Sequence, residues 1–154
     1  MMGCKFDDEG NVIPIGLTIV WGAPASGKTT YVKKQMKQGD LVVDLDLIKQ
    51  AISMADKTDA GDNLLPVAMK IRDQLYEIIA KRQVECDHIW VIAGLPQKEE
   101  RDSLYRKLKA TNIKQCFANK QECIDRAMKD QERADKQKQM KIITKWFDLF
   151  YYER

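Results

Sequence analysis

The stretch "IVWGAPASGKTT" (residues 19–30) joins an apolar run to a loop that is framed by two glycines. Gly22 and Gly27 enclose four small residues, and Lys28 and Thr29 follow directly. The segment therefore matches the pattern G-x-x-x-x-G-K-[ST] at every fixed position. With average residue usage, a chain of this length would match by chance roughly once in two hundred. The pattern predicts a phosphate-binding loop between a strand and a helix.

The residue types in this loop suit the chemistry of phosphate binding. Glycines let the backbone turn so that successive N–H groups face one anion, and the helix that follows adds the positive end of its dipole. Lys28 supplies a cation for the outer phosphates, and the Thr29 hydroxyl suits a magnesium ion. We expect ATP and Mg²⁺ as cofactors, with nucleotide contacts from Gly22, Ala23, Pro24, Ala25, Ser26, Gly27, Lys28, Thr29 and Thr30.

Size and composition restrict the class of protein. The 154 residues fit one domain over 1–154, and a net charge of +3 is too small for a nucleic-acid coat or a membrane-surface protein. The sequence has no apolar run long enough to cross a membrane, and its first ten residues lack the build of a signal peptide. The four cysteines form no C-x-x-C pair. We expect reduced thiols, a cytoplasmic location and no membrane partner.

Strand and helix patterns alternate along the chain. Short apolar runs predict strands over 15–21, 41–46, 88–93 and 113–118. Apolar residues at steps of three and four predict helices over 28–38, 47–55, 66–84 and 98–110, and a helical region from 119 onward. This alternation predicts an α/β fold, with a parallel sheet of four to five strands, helices on both faces and a helical lid over about 119–140.

Two acids lie near the end of the second predicted strand, in "VVDLDLIKQ" (42–50). If the strand extends to Asp46, then Asp44 and Asp46 point to the same side, and Lys49 follows about one helical turn later. Because ligands of open α/β sheets bind at the carboxyl ends of the strands, we expect these three residues to bind the substrate beside the phosphate loop. A carboxylate there could accept a proton from an attacking hydroxyl. A helix cap made by Asp46 is the structural alternative.

The third strand and the charged stretch after it refine the expected reaction. The third strand ends "WVIAGLP", with Gly94 where ATPases of the motor type usually carry an acid, which favours transfer to an acceptor over hydrolysis. Within 122–138, Arg126, Lys129 and Arg133 recur at helical spacing. We expect Arg126 and Arg133 to contact the nucleotide, although acids interleaved with them also fit a solvated surface. The aromatic stripe near the end of the chain is predicted to pack in the core.

The phosphate loop, the D-x-D pair, the glycine-ended third strand, the arginine helix and the terminal aromatic helix together resemble the small P-loop kinases. The chain is most similar to the kinase domain of phage polynucleotide 5′-hydroxyl kinases and to related phage-encoded ATP-binding proteins. The resemblance implies a P-loop NTPase fold and assigns activation of the acceptor hydroxyl to Asp46. It places Lys49 where those kinases carry an arginine that grips a substrate phosphate. It makes Arg126 a lid arginine, whereas Arg133 falls later than the usual second one.

The leading hypothesis is an ATP- and Mg²⁺-dependent phosphotransferase whose catalytic residues are Lys28, Asp46 and Arg126. The acceptor group is expected to be a hydroxyl or a phosphate, and a nucleotide, a nucleic-acid 5′ end and another small hydroxyl compound remain open as acceptors. Two alternatives from other classes also remain: an ATPase coupled to a DNA or protein partner, and a nucleotide-binding module without turnover. The sequence specifies neither the base preference nor the oligomeric state.

Overall fold

The computed structural model describes residues 5–6, 8–56, 60–130, 133 and 135–152, and Cys4 lies outside them. Short strands open this region, and strands then alternate with helices. The strands are β1 (Lys5–Phe6), β2 (Val12–Ile13), β3 (Gly16–Trp21), β4 (Leu41–Val43), β5 (His88–Ala93) and β6 (Asn112–Gln115). The helices are α1 (Lys28–Gln35), α2 (Leu45–Ser53), α3 (Leu65–Ala80), α4 (Lys98–Leu108), α5 (Lys120–Lys129) and α6 (Lys136–Tyr152), and a 3-10 turn covers Asp62–Leu64.

The main sheet is parallel and has the strand order β4-β5-β3-β6. β3 lies inside the sheet, where Leu17 pairs with Ile89 of β5 and Thr18 pairs with Asn112 of β6. β1 and β2 form a separate antiparallel pair. Four parallel strands with helices between them confirm the expected α/β class, and the phosphate loop leaves the sheet from an inner strand.

Alternate residues of the inner strands supply the cores on the two faces of the sheet. Leu17 and Ile19 of β3 are fully buried on one face, with Ile79 of α3 and Leu108 of α4. On the other face, residues of β3 and β5 pack against Val32 of α1. Because both faces are covered, the inner strands are near-continuous apolar runs, which explains why the sequence predicts them well.

A third apolar cluster joins the carboxyl end of β3 to the last two helices. Trp21 packs against Trp146, with ring centroids 6.3 Å apart, and Phe147 and Ile143 are buried in the same cluster. Cys123 of α5 is also fully buried there. The prediction that the terminal aromatic stripe packs in the core is confirmed. The cluster fixes α5 and α6 beside the loop that follows β3.

The structure corrects the predicted second strand. β4 ends at Val43 and does not continue to residue 46, because Asp44 begins a helix. The Asp44 carboxylate accepts a hydrogen bond from the Asp46 N–H at 3.3 Å, so Asp44 is the N-cap of α2 and Asp46 lies in its first turn. The expectation of two acids on one extended strand is wrong, and so is the alternative in which Asp46 is the cap.

The region after residue 119 is two helices with a break between them. α5 ends at Lys129 and α6 begins at Lys136, and Arg133 lies between them outside both helices. The prediction that Arg126, Lys129 and Arg133 share one helix face is therefore wrong. Two other predicted elements are shorter than expected, since α1 ends at Gln35 and β6 covers Asn112–Gln115.

Candidate functional site

The loop between β3 and α1 has a backbone that only certain residues adopt. Gly27, the N-cap of α1, has φ of 97°, and Ala25 lies in the left-handed region at φ 62°. The Ser26 N–H donates to the Ala23 carbonyl at 3.1 Å, which closes the turn. No side chain caps α1 within the described part of the chain. The amides of its first turn are therefore available to an anion.

Gly22 allows a close approach between the loop and the end of β6. A Cβ atom at this position would lie 2.5 Å from the Cys116 carbonyl oxygen and 2.7 Å from the Ser26 Oγ atom. The Cys116 N–H also donates to the Trp21 carbonyl at 2.8 Å, so the backbone on both sides is held. A side chain at position 22 would displace this backbone, which explains the glycine in physical terms.

Lys28 folds back over the loop. Its Nζ atom donates to the carbonyls of Gly22 at 2.8 Å and Ala23 at 2.7 Å. Burial lowers the pKa of this ammonium group to about 8, and the negative charge of Asp44 opposes part of that effect. Both carbonyls are neutral, so this buried cation gains stability when an anion arrives beside it.

Ser26 adds a second polar group at the same place. Its Oγ atom is buried and has no hydrogen-bond partner among the residues that the structure describes. A buried hydroxyl without a partner costs free energy, which a ligand oxygen would recover. The uncapped amides, the Lys28 ammonium group and this hydroxyl fit a phosphate group. Thr29, half-buried in the first turn of α1, is the residue that would hold Mg²⁺.

The two acids take different positions beside the loop. The charge of Asp44 raises the pKa of Lys28 more than the charge of Asp46 does. Asp44 also raises the pKa of Tyr76 of α3. Asp46 pairs with Lys49 at 3.3 Å, one helical turn later. The predicted separation of about one helical turn between Asp46 and Lys49 is thus observed, and both residues lie on α2.

The two arginines are also placed differently from one another. Arg126 reaches the phosphate loop, where its Nη1 atom donates to the Ala25 carbonyl at 3.3 Å, and it remains half exposed. Arg133 is buried and is held by Asp130 at 3.1 Å and by Gln139 at 2.8 Å. Arg126 is therefore positioned against the loop, whereas Arg133 is fixed between α5 and α6.

One cavity of about 1160 Å³ brings most of the predicted site residues together. Its lining includes residues 24–30 of the loop, Asp44, Asp46, Lys49, Arg126 and Arg133. Gly22 and Ala23 are buried behind this surface. The volume exceeds the range of roughly 300–1,000 Å³ for a typical ligand pocket. The cavity has room for a nucleotide and a second molecule.

The turn after β5 forms another part of the wall, which sequence reasoning identified only as Gly94. The Trp146 indole N–H donates to the Gly94 carbonyl at 3.0 Å, across 52 positions of sequence. Arg101 donates to the carbonyls of Leu95 and Pro96, both at 2.9 Å, and its guanidinium group lies 4.0 Å from the Trp21 ring centroid. Trp146 and Arg101 thus hold this turn in place. In the sequence, Trp146 is one residue of an apolar stripe and Arg101 is one residue of a charged helix. Neither pattern predicts these contacts.

Sequence reasoning also missed several residues of other helices that line the cavity. Arg72 and Tyr76 come from α3, Lys107 comes from α4, and Lys138 comes from α6. Lys138 forms an ion pair with Asp62, at the start of the 3-10 turn. None of these residues belongs to a local pattern that distinguishes it from an ordinary surface residue.

This fold and this loop define a P-loop nucleotide-binding domain. A family model described as an AAA domain matches residues 17–148, and the chain belongs to that family. No curated protein matches the sequence significantly. No helix in the described part of the chain is both long and apolar enough to cross a bilayer.

Among solved structures, 54 chains match. One belongs to the Pnkp1/Rnl/Hen1 RNA repair complex, with a TM-score of 0.61 and 15% sequence identity. The match covers 96% of this chain and 49% of that chain, so the present chain spans about half the length of this structural relative. The match confirms, at the level of the fold, the expected resemblance to P-loop kinases.

Proposed function

We propose that this protein is an ATP- and Mg²⁺-dependent phosphotransferase that moves the γ-phosphoryl group to a hydroxyl acceptor. One observation carries the proposal. The phosphate loop, Asp44 and Asp46 line one cavity, while β5 ends at Ala93 and is followed by Gly94 in place of a carboxylate. This arrangement offers a proton acceptor to a second substrate rather than an acid that positions water for hydrolysis.

In the proposed reaction, the acceptor oxygen bonds to the γ-phosphorus while the bond from that phosphorus to the β–γ bridging oxygen breaks. ADP leaves with the electron pair, and Asp46 takes the proton of the hydroxyl. Lys28 and the loop amides hold the β- and γ-phosphates, and Arg126 neutralises the charge on the phosphoryl group during transfer. Thr29 would hold Mg²⁺, and the ion would neutralise further phosphate charge.

The region over 119–140 is the proposed lid. Arg126 already contacts the loop from α5, and Arg133 is fixed at the base of α6, so movement of these helices would change what covers the phosphates. Exclusion of water by this cover would favour transfer over hydrolysis. We propose that residues 1–154 act as one kinase domain in the cytoplasm, where ATP is available.

The direct test follows the label from γ-labelled ATP. The protein is incubated with nucleosides, nucleoside monophosphates or 5′-hydroxyl oligonucleotides, and the labelled products are separated. We expect label on one class of acceptor. Stimulated release of labelled inorganic phosphate would instead indicate a partner-coupled ATPase, and unchanged ATP would indicate a binding module.

A matched pair of variants assigns the activity to this site. Lys28→Met removes the cation of the loop, whereas Lys33→Met alters an exposed lysine of α1 that is not part of the cavity wall. We expect transfer to be lost in Lys28→Met and retained in Lys33→Met. Equal activity of the two variants would contradict the proposal.

A further inference from the structure

The chain that leaves β5 forms an apolar part of the cavity lining beside the phosphate loop. Residues 92–96, with the sequence IAGLP, all line the cavity, and none of them carries a polar side chain. Ala93, the last residue of β5, pairs with Trp21, the last residue of β3. The turn after β5 and the phosphate loop after β3 therefore leave neighbouring strands at the same level of the sheet.

Leu95, within this turn, has a strained backbone. Its φ is 45°, in the left-handed region that a leucine rarely adopts. Where Met54 and Lys109 have positive φ, each is the C-cap of a helix, a position at which this conformation is common. Leu95 instead follows an inner strand and lines the cavity. A strained residue at such a place must be held by its surroundings.

Side chains of two helices hold the turn through its carbonyl groups. The Trp146 indole N–H donates to the Gly94 carbonyl at 3.0 Å. The Arg101 guanidinium group donates to the carbonyls of Leu95 and Pro96, both at 2.9 Å. Pro96 has no backbone N–H. The three carbonyls of the turn thus already accept hydrogen bonds, and the side chain that the turn presents is apolar.

The Leu95 side chain lies between the phosphate loop and the acids of α2. It packs against two clusters: the core that β3 forms with α3 and α4, and the aromatic cluster that β3 forms with α5 and α6. Leu45, the neighbour of Asp46 on α2, packs against the first of these clusters, and Ala25 of the loop packs against the second. Leu95 is half-buried, so part of its side chain faces the cavity.

We infer that Leu95 keeps water away from the site of phosphoryl transfer, so that an acceptor hydroxyl reacts in place of water. The inference rests on the proposed function and assigns its preference for transfer over hydrolysis to one side chain. In hydrolysis, a water oxygen would bond to the γ-phosphorus while the bond to the β–γ bridging oxygen breaks. ADP would leave with the electron pair, and Asp46 would take a proton from the water.

The turn is unsuited to holding such a water molecule. An ordered water in a protein needs about two to four polar partners. Leu95 offers an apolar surface, and the carbonyls of Gly94, Leu95 and Pro96 are engaged by Trp146 and Arg101. Exclusion of water from a closed site prevents the competing hydrolysis. Leu95 is therefore a specificity-determining residue that discriminates between water and the acceptor.

Release of labelled phosphate from γ-labelled ATP, with Mg²⁺ and without any acceptor, tests the inference. Leu95→Ala opens space for water, and we expect its hydrolysis rate to exceed that of the wild type by about tenfold or more. Its affinity for a non-hydrolysable ATP analogue should be unchanged. Leu95→Met conserves the side-chain volume and should hydrolyse ATP at the wild-type rate. A residue with only a structural role would not raise the rate when it is truncated.

Two further variants separate the side chain from its strained backbone and from general loosening of the fold. Leu95→Gly should hydrolyse ATP at least as fast as Leu95→Ala. It should also be the more stable of the two in urea unfolding, because glycine adopts a φ of 45° without steric cost. Leu47→Ala alters an exposed leucine of α2 outside the cavity lining and should keep the wild-type hydrolysis rate.

The outcomes distinguish this inference from the proposed function. A wild-type hydrolysis rate in Leu95→Ala, or an equal increase in Leu47→Ala, would overturn the role of Leu95. If no acceptor is labelled but Leu95→Ala hydrolyses ATP faster, the phosphotransferase proposal fails and the exclusion of water by Leu95 stands. If an acceptor is labelled and hydrolysis in Leu95→Ala is unchanged, only the present inference fails.

Discussion

The two walls of the cavity are built in different ways. The phosphate-loop wall is one continuous segment, and bonds within that segment, from Lys28 to Gly22 and Ala23, hold its lysine in place. The rest of the lining, here the assembled wall, comes from α2, α3, α4 and α6, which contacts between distant residues such as Trp146 and Gly94 hold together. A local wall depends on backbone conformation, whereas an assembled wall depends on the packing of the whole domain.

This difference separates what each wall contributes to the proposed reaction. The loop wall binds a group that is the same in every nucleoside triphosphate, so it needs little variation. The assembled wall would contact the acceptor. Substitutions on its helices can change the side chains of this wall without altering the loop. Substitutions on the loop wall should therefore affect nucleotide binding, and those on the assembled wall should affect the acceptor or the reaction step.

The largest expected effect concerns Asp46, on the assembled wall. Asp46→Asn removes the proposed proton acceptor and leaves the phosphate loop intact. We expect the transfer rate to fall by about 10²–10⁴-fold, the usual contribution of a general base, with ATP affinity near normal. Single-turnover kinetics with labelled ATP measures the rate, and a titration measures the affinity.

Asp125→Asn is the control for Asp46→Asn, because Asp125 is exposed on α5 and is not part of the cavity lining. It should transfer phosphate at the wild-type rate. Unchanged turnover in Asp46→Asn would remove this residue from the mechanism. A loss of ATP affinity equal to the loss of rate would mean that the two walls are not separable in function.

The next effect concerns Gly22, on the loop wall. Gly22→Ala places a methyl group 2.5 Å from the Cys116 carbonyl oxygen, so the backbone must move. We expect the free energy of unfolding to fall by about 2–3 kcal/mol, within the range for overpacking. Binding of an ATP analogue should be lost at the same time, because the displaced loop no longer directs its amides at one point.

Gly39→Ala is the matched comparison, since Gly39 also has positive φ, at 92°, but a Cβ there meets no atom within 4 Å. Backbone strain alone should lower its free energy of unfolding by about 1 kcal/mol. Nucleotide binding should be unchanged. Urea unfolding monitored by tryptophan fluorescence gives the two unfolding free energies, and equal destabilisation of the two variants would contradict the steric account.

The pH dependence of nucleotide binding tests the loop wall further. Because Lys28 has a pKa of about 8, its ammonium group loses its proton above that pH, and binding of phosphate must then take a proton up. We expect the affinity for an ATP analogue to fall by up to about tenfold per pH unit above pH 8. Lys28→Met should bind more weakly and show no such slope between about pH 7 and 9.5.

The lowered pKa of Lys28 also makes the free energy of unfolding depend on pH, in the opposite direction to nucleotide affinity. Burial in the fold lowers the pKa of Lys28 from the ordinary lysine value of 10.5 to about 8, so between these values the unfolded chain binds more protons. The unfavourable effect of Lys28 on folding is complete below about pH 8 and is relieved as the pH rises toward 10.5. Over this window, the stability of the wild type should increase relative to Lys28→Met. A wild-type nucleotide affinity independent of pH would contradict the buried position of this ammonium group.

The sequence predicted the loop wall well and the assembled wall poorly, for physical reasons. The loop pattern specifies its own backbone, and β3 and β5 are recognisable because strands covered on both faces are continuously apolar. The run "VVDLDL" fits an extended strand, yet the preference of aspartate for the N-cap ended that strand at Val43. The spacing of Arg133 implied a helix face only while the helix continued, and α5 ends before it. Arg72 and Lys107 have the spacing of any exposed helical residue, so only the folded arrangement identifies them.

The smallest expected effect tests a single long-range contact of the assembled wall. Trp146→Phe keeps an aromatic ring in the cluster with Trp21 and Phe150 but removes the indole N–H that donates to the Gly94 carbonyl. The loss should cost about 1–2 kcal/mol of unfolding free energy, because a partly buried carbonyl then lacks its partner. Since the turn after β5 borders the acceptor side, the KM for the acceptor should rise more than the Kd for an ATP analogue. Tyr152→Phe, at the exposed end of the same helix, should change none of these values. If Trp146→Phe weakens binding of the analogue and of the acceptor equally, the turn at Gly94 supports both walls. The two walls are then not separable in function at this position.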